Sequence, residues 1–191
     1  MKLKIASIFL LVAVVSLSAF KNPVKPVAYT VDPAKSTITW IGKKVTGSHN
    51  GTIALQSGTL NVDGKKVTGG TFTIDMNSIK DADGSAKSEG HLKADDFFGT
   101  AKYPTSTFVI TKVAGNNVAG NLTIKGITKP VTFPATISVN TDGTVSALAG
   151  KITVDRTKYD IRYGSKSFFD SIGDKAIDDN FEIAVKLVAK K

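Results

Sequence analysis

The chain contains no cysteine and only two histidines, His49 and His91, among its 191 residues. The missing cysteine excludes disulfide cross-links, zinc–thiolate sites, iron–sulfur clusters and a thiol nucleophile. Two histidines leave little material for a histidine-rich metal site or a histidine-based catalytic triad. With 41% hydrophobic and 21% charged residues, the composition is that of a globular protein. Any chemistry must therefore come from carboxylates, hydroxyls and lysines, or from the shape of the molecule.

The beginning of the chain differs in character from the rest. Two lysines within the first four residues precede an apolar run over residues 5–17, and small residues follow it. This order is typical of a secretory signal peptide, whereas an uncleaved membrane anchor needs about 20 apolar residues. We therefore expect a cleaved signal peptide over residues 1–19, an extended leader over 20–27 and a periplasmic or secreted domain over 28–191. Cleavage leaves 23 basic and 16 acidic residues, so the net charge falls from +9 to +7.

Alternation of apolar and polar residues dominates the chain from residue 28 onward. Phe72, Ile74 and Met76, for example, alternate with threonines, an aspartate and an asparagine. A period of two with one apolar face predicts strands of an antiparallel sheet that is buried on one side. We expect strands near residues 28–31, 36–45, 51–62, 66–78, 105–114, 117–127, 130–140, 144–155, 158–163 and 180–189.

Short glycine-containing motifs predict the hairpin turns between these strands. They supply the positive φ angles that tight hairpins need, and they are Asn50-Gly51, Asp63-Gly64, Gly115-Asn116-Asn117 and Asp142-Gly143. Residues 85–98 are charged and poor in β-branched residues, which predicts a short helical or irregular crossover. Residues 167–172 predict a second, shorter helical turn.

The pattern indicates an all-β domain in which the strands form a closed barrel. Each strand has one apolar face, and too few helical residues exist to cover a broad open sheet, so the faces must cover each other. Strands of about ten residues in hairpin order favour an up-and-down barrel over a sandwich. We expect about eight strands, which enclose an interior just wide enough for side chains or one small ligand.

A membrane-spanning barrel is a competing interpretation of an exported, alternating chain. Such a barrel needs an apolar outer band between two girdles of aromatic residues. One tryptophan and four tyrosines are too few for two girdles, and the outward-facing residues are threonine, asparagine, aspartate and lysine. We therefore expect no stable membrane insertion.

Several long motifs resemble the YceI-like family. They are residues 46–51 (TGSHNG), 69–79 (GGTFTIDMNSI), 91–98 (HLKADDFF) followed by Lys102-Tyr103-Pro104, 120–131 (GNLTIKGITKPV) and the stretch 156–181. The resemblance covers most of the chain after the leader. It implies a lipocalin-like antiparallel barrel, exported to the periplasm, that holds a long isoprenoid or related lipid in a central tunnel. It implies no shared catalytic residues. The second strand of this chain is more polar than in some members and carries Lys43 and Lys44.

The inward-facing apolar residues are the candidates for a tunnel lining. A dry apolar tunnel suits a hydrocarbon chain, which gains about 25 cal/mol per Å² of buried apolar surface. The alternative is that the same side chains fill the barrel as a solid core. The candidates are Trp40, Phe72, Ile74, Met76, Phe108, Ile110, Leu122, Ile124, Phe133, Ile137, Phe181, Ile183, Val185 and Leu187.

Charged residues suggest two polar sites. Arg156 and Arg162 are candidates for a basic rim that binds a pyrophosphate or another acidic headgroup, because the arginine fork fits phosphate. Their alternative role is in cross-strand ion pairs. Glu89, His91 and Asp95 are candidates for a metal site or for an envelope enzyme acting on a lipid-like substrate. Their spacing matches no ligand pattern and places no nucleophile beside a base, so we favour a solvated crossover helix.

The sequence therefore predicts an exported lipid-binding protein that is not an enzyme and requires no metal. Its partner is an apolar lipid, for which an isoprenoid or quinone-type molecule is the expected class. A nucleic-acid-binding or surface-binding function would rest on the positive charge alone, because the lysines are spread along the chain without interleaved aromatic residues. Monomer and homodimer both stay open.

Overall fold

The computed structural model describes residues 25–191, and ten strands account for most of them. The predicted signal peptide and most of the predicted leader lie outside the described residues. One α-helix, α1 (Ala86–Lys93), connects β4 to β5, and three short 3-10 turns occupy Pro33–Lys35, Arg156–Tyr159 and Gly173–Lys175. The strands are β1 (Val27–Val31), β2 (Thr37–Lys44), β3 (Gly47–Asp63), β4 (Lys66–Asp81), β5 (Thr105–Ala114), β6 (Asn117–Ile124), β7 (Ile127–Pro134), β8 (Thr136–Val139), β9 (Thr144–Asp155) and β10 (Ile177–Lys190).

Antiparallel pairing connects these ten strands into a closed barrel with eight positions in its wall. β1 and β2 share one position, because both lie between β3 and β10 and pair with different halves of those long strands. β7 and β8 share another position: β7 pairs with β6, the chain bends at Ala135, and β8 pairs with β9. The bend therefore closes the wall, and the predicted all-β barrel of about eight strands with one helical crossover is confirmed.

The predicted hairpin at Asn50-Gly51 is wrong, because Gly51 lies inside β3. There it pairs with Trp40 of β2 on one side and Asp81 of β4 on the other. A Cβ atom at Gly51 would overlap the carbonyl oxygen of Lys80 and lie 2.8 Å from the Trp40 ring. The glycine is thus required by close approach of two backbones, and the chain turns earlier, at residues 45–46. The other three predicted turns each separate two strands, with positive φ at Gly64, Gly115 and Gly143.

Four further elements differ from the prediction. The hairpin between β6 and β7 turns at Lys125-Gly126, where both residues have positive φ, so the predicted strand 117–127 ends at Ile124. The predicted strand 130–140 is divided at Ala135 by the closing bend. The predicted strand 158–163 is instead the 3-10 turn Arg156–Tyr159 followed by irregular chain, and the helical turn predicted at 167–172 lies at Gly173–Lys175.

The two ends of the barrel differ in construction. One end carries the tight turns 64–65, 115–116 and 140–143, and there Val62, Val145 and Ala189 are buried in a packed cluster. The opposite end, which we call the mouth end, carries the turns 45–46 and 125–126, the helix α1 and the loop 160–176. No helix within residues 25–191 has the length and apolar character needed to cross a membrane.

Candidate functional site

A cavity of about 540 Å³ occupies the mouth end of the barrel. Its wall comes from inward-facing residues of β2, β3, β4, β5, β6 and β10, most of them at every second position of a strand. Exposed Lys43, Lys44 and Lys87 line it together with deeply placed apolar residues, so the cavity reaches solvent at this end. The apolar part of the lining is Ile38, Trp40, Ile53, Ile74, Met76, Ile79, Leu92, Phe97, Phe98, Leu122, Ile124, Ile177, Phe181 and Ile183.

A second, narrower cavity of about 130 Å³ continues toward the packed end. Ile38, Ile74, Leu122 and Ile183 line both cavities, so the two spaces are neighbours separated by these four side chains. The remaining lining of the narrow cavity is also apolar, and it includes the ring contacts of Phe108 with Phe72 and Phe133. The barrel interior is therefore partly hollow along its length rather than filled throughout.

All fourteen residues predicted to line a tunnel face these two cavities. Trp40, Met76, Ile124 and Phe181 line the wide cavity, and Ile74, Leu122 and Ile183 line both. The other seven line the narrow cavity: Phe72, Phe108, Ile110, Phe133, Ile137, Val185 and Leu187. Contact between these side chains and a ligand stays a prediction.

The crossover contributes more to the cavity than the sequence suggested. The sequence favours a solvated helix for the crossover over residues 85–98. In the structure, however, Leu92, Phe97 and Phe98 line the wide cavity, and Phe97 is buried. Ser85 caps the N-terminus of α1 by accepting a hydrogen bond from the Ser88 amide. Only the HLK-x-DDFF motif, with its three apolar residues among charges, signalled this role in the sequence. The helix covers the cavity at the mouth end.

Basic side chains form the rim of the wide cavity. Lys44 and Lys87 make no ion pair within residues 25–191, whereas Lys43 pairs with Glu182 at 3.1 Å. Hydrogen bonds from Lys151 and Lys43 hold the pKa of Glu182 below its usual 4.5. His49 also lines the cavity, and its Nδ1 lies 3.0 Å from a carboxylate oxygen of the buried Asp81. The rim can therefore attract an anionic or polar headgroup.

Arg156 lines the wide cavity but is buried in its wall instead of being exposed at the rim. Its side chain is 2% exposed and donates hydrogen bonds to the main-chain carbonyls of Ile161, Ile177 and Asp178 at 2.9–3.0 Å. Burial lowers the pKa of Arg156, and neighbouring carboxylates, chiefly that of Asp179, partly oppose this effect. All three nitrogens of the guanidinium are engaged, so Arg156 stabilises the start of β10 instead of presenting a phosphate-binding fork.

Arg162 is exposed but is already paired. Its Nε lies 2.9 Å from a carboxylate oxygen of Asp160, and its guanidinium lies 4.6 Å from the centre of the Phe168 ring. It is absent from the residues that line the wide cavity. Of the two predicted arginines, only Arg156 lines the cavity, where it lies with Lys43, Lys44 and Lys87. Binding of a headgroup by any of them stays a prediction.

The three residues of the alternative enzyme site contact different partners. Glu89 accepts hydrogen bonds from Lys80 and from the Asp81 amide, and the bond from Lys80 lowers the pKa of Glu89. His91 lies 3.4 Å from Asp96 and packs against Tyr163, while the main-chain carbonyl of Asp95 accepts a bond from Lys125. No cluster of three or more metal-binding side chains occurs in the described range 25–191.

Comparison with known proteins identifies the family of the chain. The sequence profile of the YceI-like domain matches residues 29–189, which span the whole barrel. The chain belongs to the YceI-like family. Among curated relatives, a UPF0312 protein of Shewanella denitrificans is 39% identical over 83 residues, covering 41% of this chain and 44% of that protein. Protein YceI of Escherichia coli is 35% identical over 89 residues, covering 44% and 47%. The matched segments thus span less than half of these YceI-like relatives.

Solved structures share the YceI-like fold over most of the chain. BcnA of Burkholderia cenocepacia is 28% identical, with a TM-score of 0.67, and the match covers 84% of this chain and 99% of BcnA. A polyisoprenoid-binding domain from Saccharophagus degradans, implicated in plant cell wall breakdown, has the same TM-score at 16% identity, covering 85% and 97%. At that identity the second likeness establishes the fold alone.

Proposed function

We propose that this YceI-like protein binds a long apolar ligand of the isoprenoid type inside the barrel and releases it chemically unchanged. The observation that carries the proposal is the pair of apolar cavities, about 540 and 130 Å³, of which the wide one is open at a basic rim. In a small barrel that binds no ligand, side chains fill the interior as a closely packed core. The description of the Saccharophagus degradans neighbour as a polyisoprenoid-binding domain supports the same ligand class.

The positions of the polar and apolar lining residues predict the orientation of the bound ligand. Lys44, Lys87 and His49 meet solvent at the rim, the buried lining residues Ser106 and Arg156 already donate to main-chain carbonyls, and the narrow cavity has an apolar lining. A buried methylene group gains about 0.8 kcal/mol, whereas an unpaired polar group in an apolar cavity loses several. The ligand therefore enters with its hydrocarbon tail first, and its headgroup stays at the rim.

Export is part of the proposal. The basic, apolar and small residues at the beginning of the chain support a cleaved signal peptide and a place in the periplasm or outside the cell. Fractionation of the producing cells, followed by N-terminal sequencing of the purified protein, tests this. We expect a chain that begins near residue 20 outside the cytoplasm, and a full-length chain in the cytoplasm would contradict it.

The single tryptophan provides the test of ligand binding. Trp40 lines the wide cavity and is the only tryptophan of the chain, so its fluorescence reports on this cavity alone. We expect titration with a long isoprenol to change Trp40 emission with a saturable, one-to-one profile, and mass spectrometry to recover the isoprenol unchanged.

Two matched variants of β4 control for folding. Ile74→Gln places an amide in the wall shared by both cavities, whereas Thr71→Gln places the same side chain on the exposed outer face of the strand. We expect Ile74→Gln to weaken binding at least tenfold, because the amide has no partner in the apolar cavity, and Thr71→Gln to bind as the wild type does. Thermal unfolding of both variants verifies that they fold. Equal binding by both would show that the ligand lies outside the barrel.

A further inference from the structure

Exposed apolar side chains are concentrated beside the mouth of the cavity. Val45, Tyr163, Phe168 and Phe169 are each about half exposed, and all four belong to the 45–46 turn or the 160–176 loop. The other large apolar side chains exposed in residues 25–191 are dispersed over separate strands of the wall: Val27, Ile41, Val109 and Leu148. Apolar side chains exposed together on adjoining segments often mark an interaction site, whereas single dispersed residues need no explanation.

Hydrogen bonds attach this loop to the rim of the cavity. The amide of Val45 donates to the carbonyl of Ala176, and the amide of Ile177 donates to the carbonyl of Gly164. The Tyr163 ring packs edge-on against the ring of His91 on α1, at 4.4 Å between centroids. His91 and Ile177 both line the wide cavity, so whatever covers the apolar group also covers the cavity entrance.

The structure holds the two phenylalanines outward. The amides of Phe168 and Phe169 both donate to the carbonyl of Ser165, at 3.2 and 3.0 Å, and Ser165 itself is fully buried. Ser167 donates a short hydrogen bond to Asp179 of β10. The turn is thus fastened on both sides, and its two rings, which are 46% and 49% exposed, are not among the residues that line the wide cavity.

The charge around this group favours an anionic lipid surface. Lys44 and Lys87 on the rim and Lys166 and Lys175 on the loop make no ion pair within the described part of the chain. The loop 160–176 itself is neutral, with three acidic and three basic residues, so the positive charge of this end comes from the cavity lining, where Lys43, Lys44, Lys87 and Arg156 outnumber Asp178. The chain after the predicted leader is also basic overall. Aromatic rings beside lysines are the composition of surfaces that lie in the headgroup layer of a membrane.

A second copy of the chain fits this patch less well. A stable protein interface buries about 800 Å² on each partner, and four half-exposed side chains supply only part of that area. We therefore propose that the mouth end docks on an anionic bilayer, with Phe168 and Phe169 inserted among the headgroups, so that an apolar ligand passes between bilayer and barrel without crossing water. This inference rests on the proposed ligand-binding function.

Vesicle flotation tests the docking step. The probe is a phosphatidylcholine vesicle containing about a third phosphatidylglycerol, at low and at raised salt. We expect the full mature chain to float with these vesicles, and Phe168→Ser and Phe169→Ser to weaken binding about tenfold each and about a hundredfold together, since each half-buried ring contributes roughly one decade. Leu148→Ser, which removes a 56% exposed side chain from the wall of β9, is the matched control and should bind as the wild type does.

Transfer of ligand distinguishes this proposal from the function on which it rests. A long isoprenol is supplied either from the vesicles or from ethanol, and Trp40 emission reports its arrival. We expect the double phenylalanine variant to lose uptake from vesicles while it keeps uptake from ethanol. Equal flotation and equal uptake by the wild type and the double variant would overturn docking. Docking would also be overturned if the wild type sediments as a dimer and the double variant as a monomer while both float equally. Absence of a Trp40 response from ethanol in the wild type would instead overturn ligand binding.

Discussion

A larger side chain that fills part of the narrow cavity should reduce the length of the longest ligand that the barrel can hold. Ala149 of β9 is buried and lines only the narrow cavity, so Ala149→Leu directs three additional carbon atoms into a space of about 130 Å³. At about 30 Å³ for a water-sized group, that space holds roughly four methylene-sized groups. The new side chain therefore displaces about three of them.

The expected loss follows from the hydrophobic contribution of those groups. At about 0.8 kcal/mol for each buried methylene, three groups contribute about 2.4 kcal/mol. Their loss corresponds to a dissociation constant about fiftyfold larger. The loss applies only to a ligand long enough to pass Ile74 and Leu122, which line both cavities. A short ligand stays within the wide cavity and should bind Ala149→Leu as it binds the wild type.

Competition between two isoprenols of different length measures this effect. Each displaces a fluorescent apolar probe from the wild type, from Ala149→Leu and from Ala184→Leu, which makes the same change on a residue of β10 that lines neither cavity. We expect only the combination of the long isoprenol and Ala149→Leu to lose affinity. If the long isoprenol binds all three proteins equally well, the narrow cavity takes no part in binding and the reasoning fails.

Four further predictions concern the barrel itself. Arg156→Met should lower the free energy of unfolding by about 3 kcal/mol in urea titrations, because it leaves three main-chain carbonyls without their donor and Asp179 without its ion-pair partner; unchanged stability would contradict this role. Tyr159→Phe should stabilise by about 1 kcal/mol, because the buried hydroxyl has no hydrogen-bond partner within residues 25–191; a marked loss would reveal a partner. Gly51→Ala should destabilise by about 2 kcal/mol in thermal unfolding, because a Cβ meets the backbone of Lys80, and an equally stable variant would refute the close approach. Glu182→Gln should flatten the pH dependence of stability: the lowered pKa of Glu182 means that its pairing stabilises the fold above about pH 4.5 and is lost as pH falls through the folded-state value. If stability falls with acid in the variant as it does in the wild type, Glu182 does not have this role.

Alternation along the strands was sufficient to predict the barrel and its inward face. A period of two assigns every second residue of a regular strand to one side, which is why Phe72, Ile183 and the other candidates face the interior. A bulge shifts this assignment by one residue, as between Ala149 and Ile152 of β9, which both line the narrow cavity. The same rule does not tell whether an interior is filled or hollow. That depends on how side-chain volumes meet across the barrel, for instance at Ala149, whose short side chain lines the narrow cavity.

The errors arose where a glycine or a charge has a tertiary role. Gly51 suggested a turn, but its missing side chain serves contact between two strands that are distant in sequence. Arg156 suggested an exposed rim, but its guanidinium is buried in the cavity wall, where it donates to carbonyls of the loop and of the start of β10. The apolar residues of the crossover are too few for periodicity to show which face of α1 covers the cavity.

Identification of the lipid that the protein carries in its own host tests the central claim most directly. The protein is purified from its natural source without detergent, its intact mass is measured under native conditions, and organic extraction then releases what it holds. The account predicts one long apolar molecule of the isoprenoid type per barrel, lost on extraction. A native mass equal to that of the bare chain, with an extract free of such molecules, would contradict it.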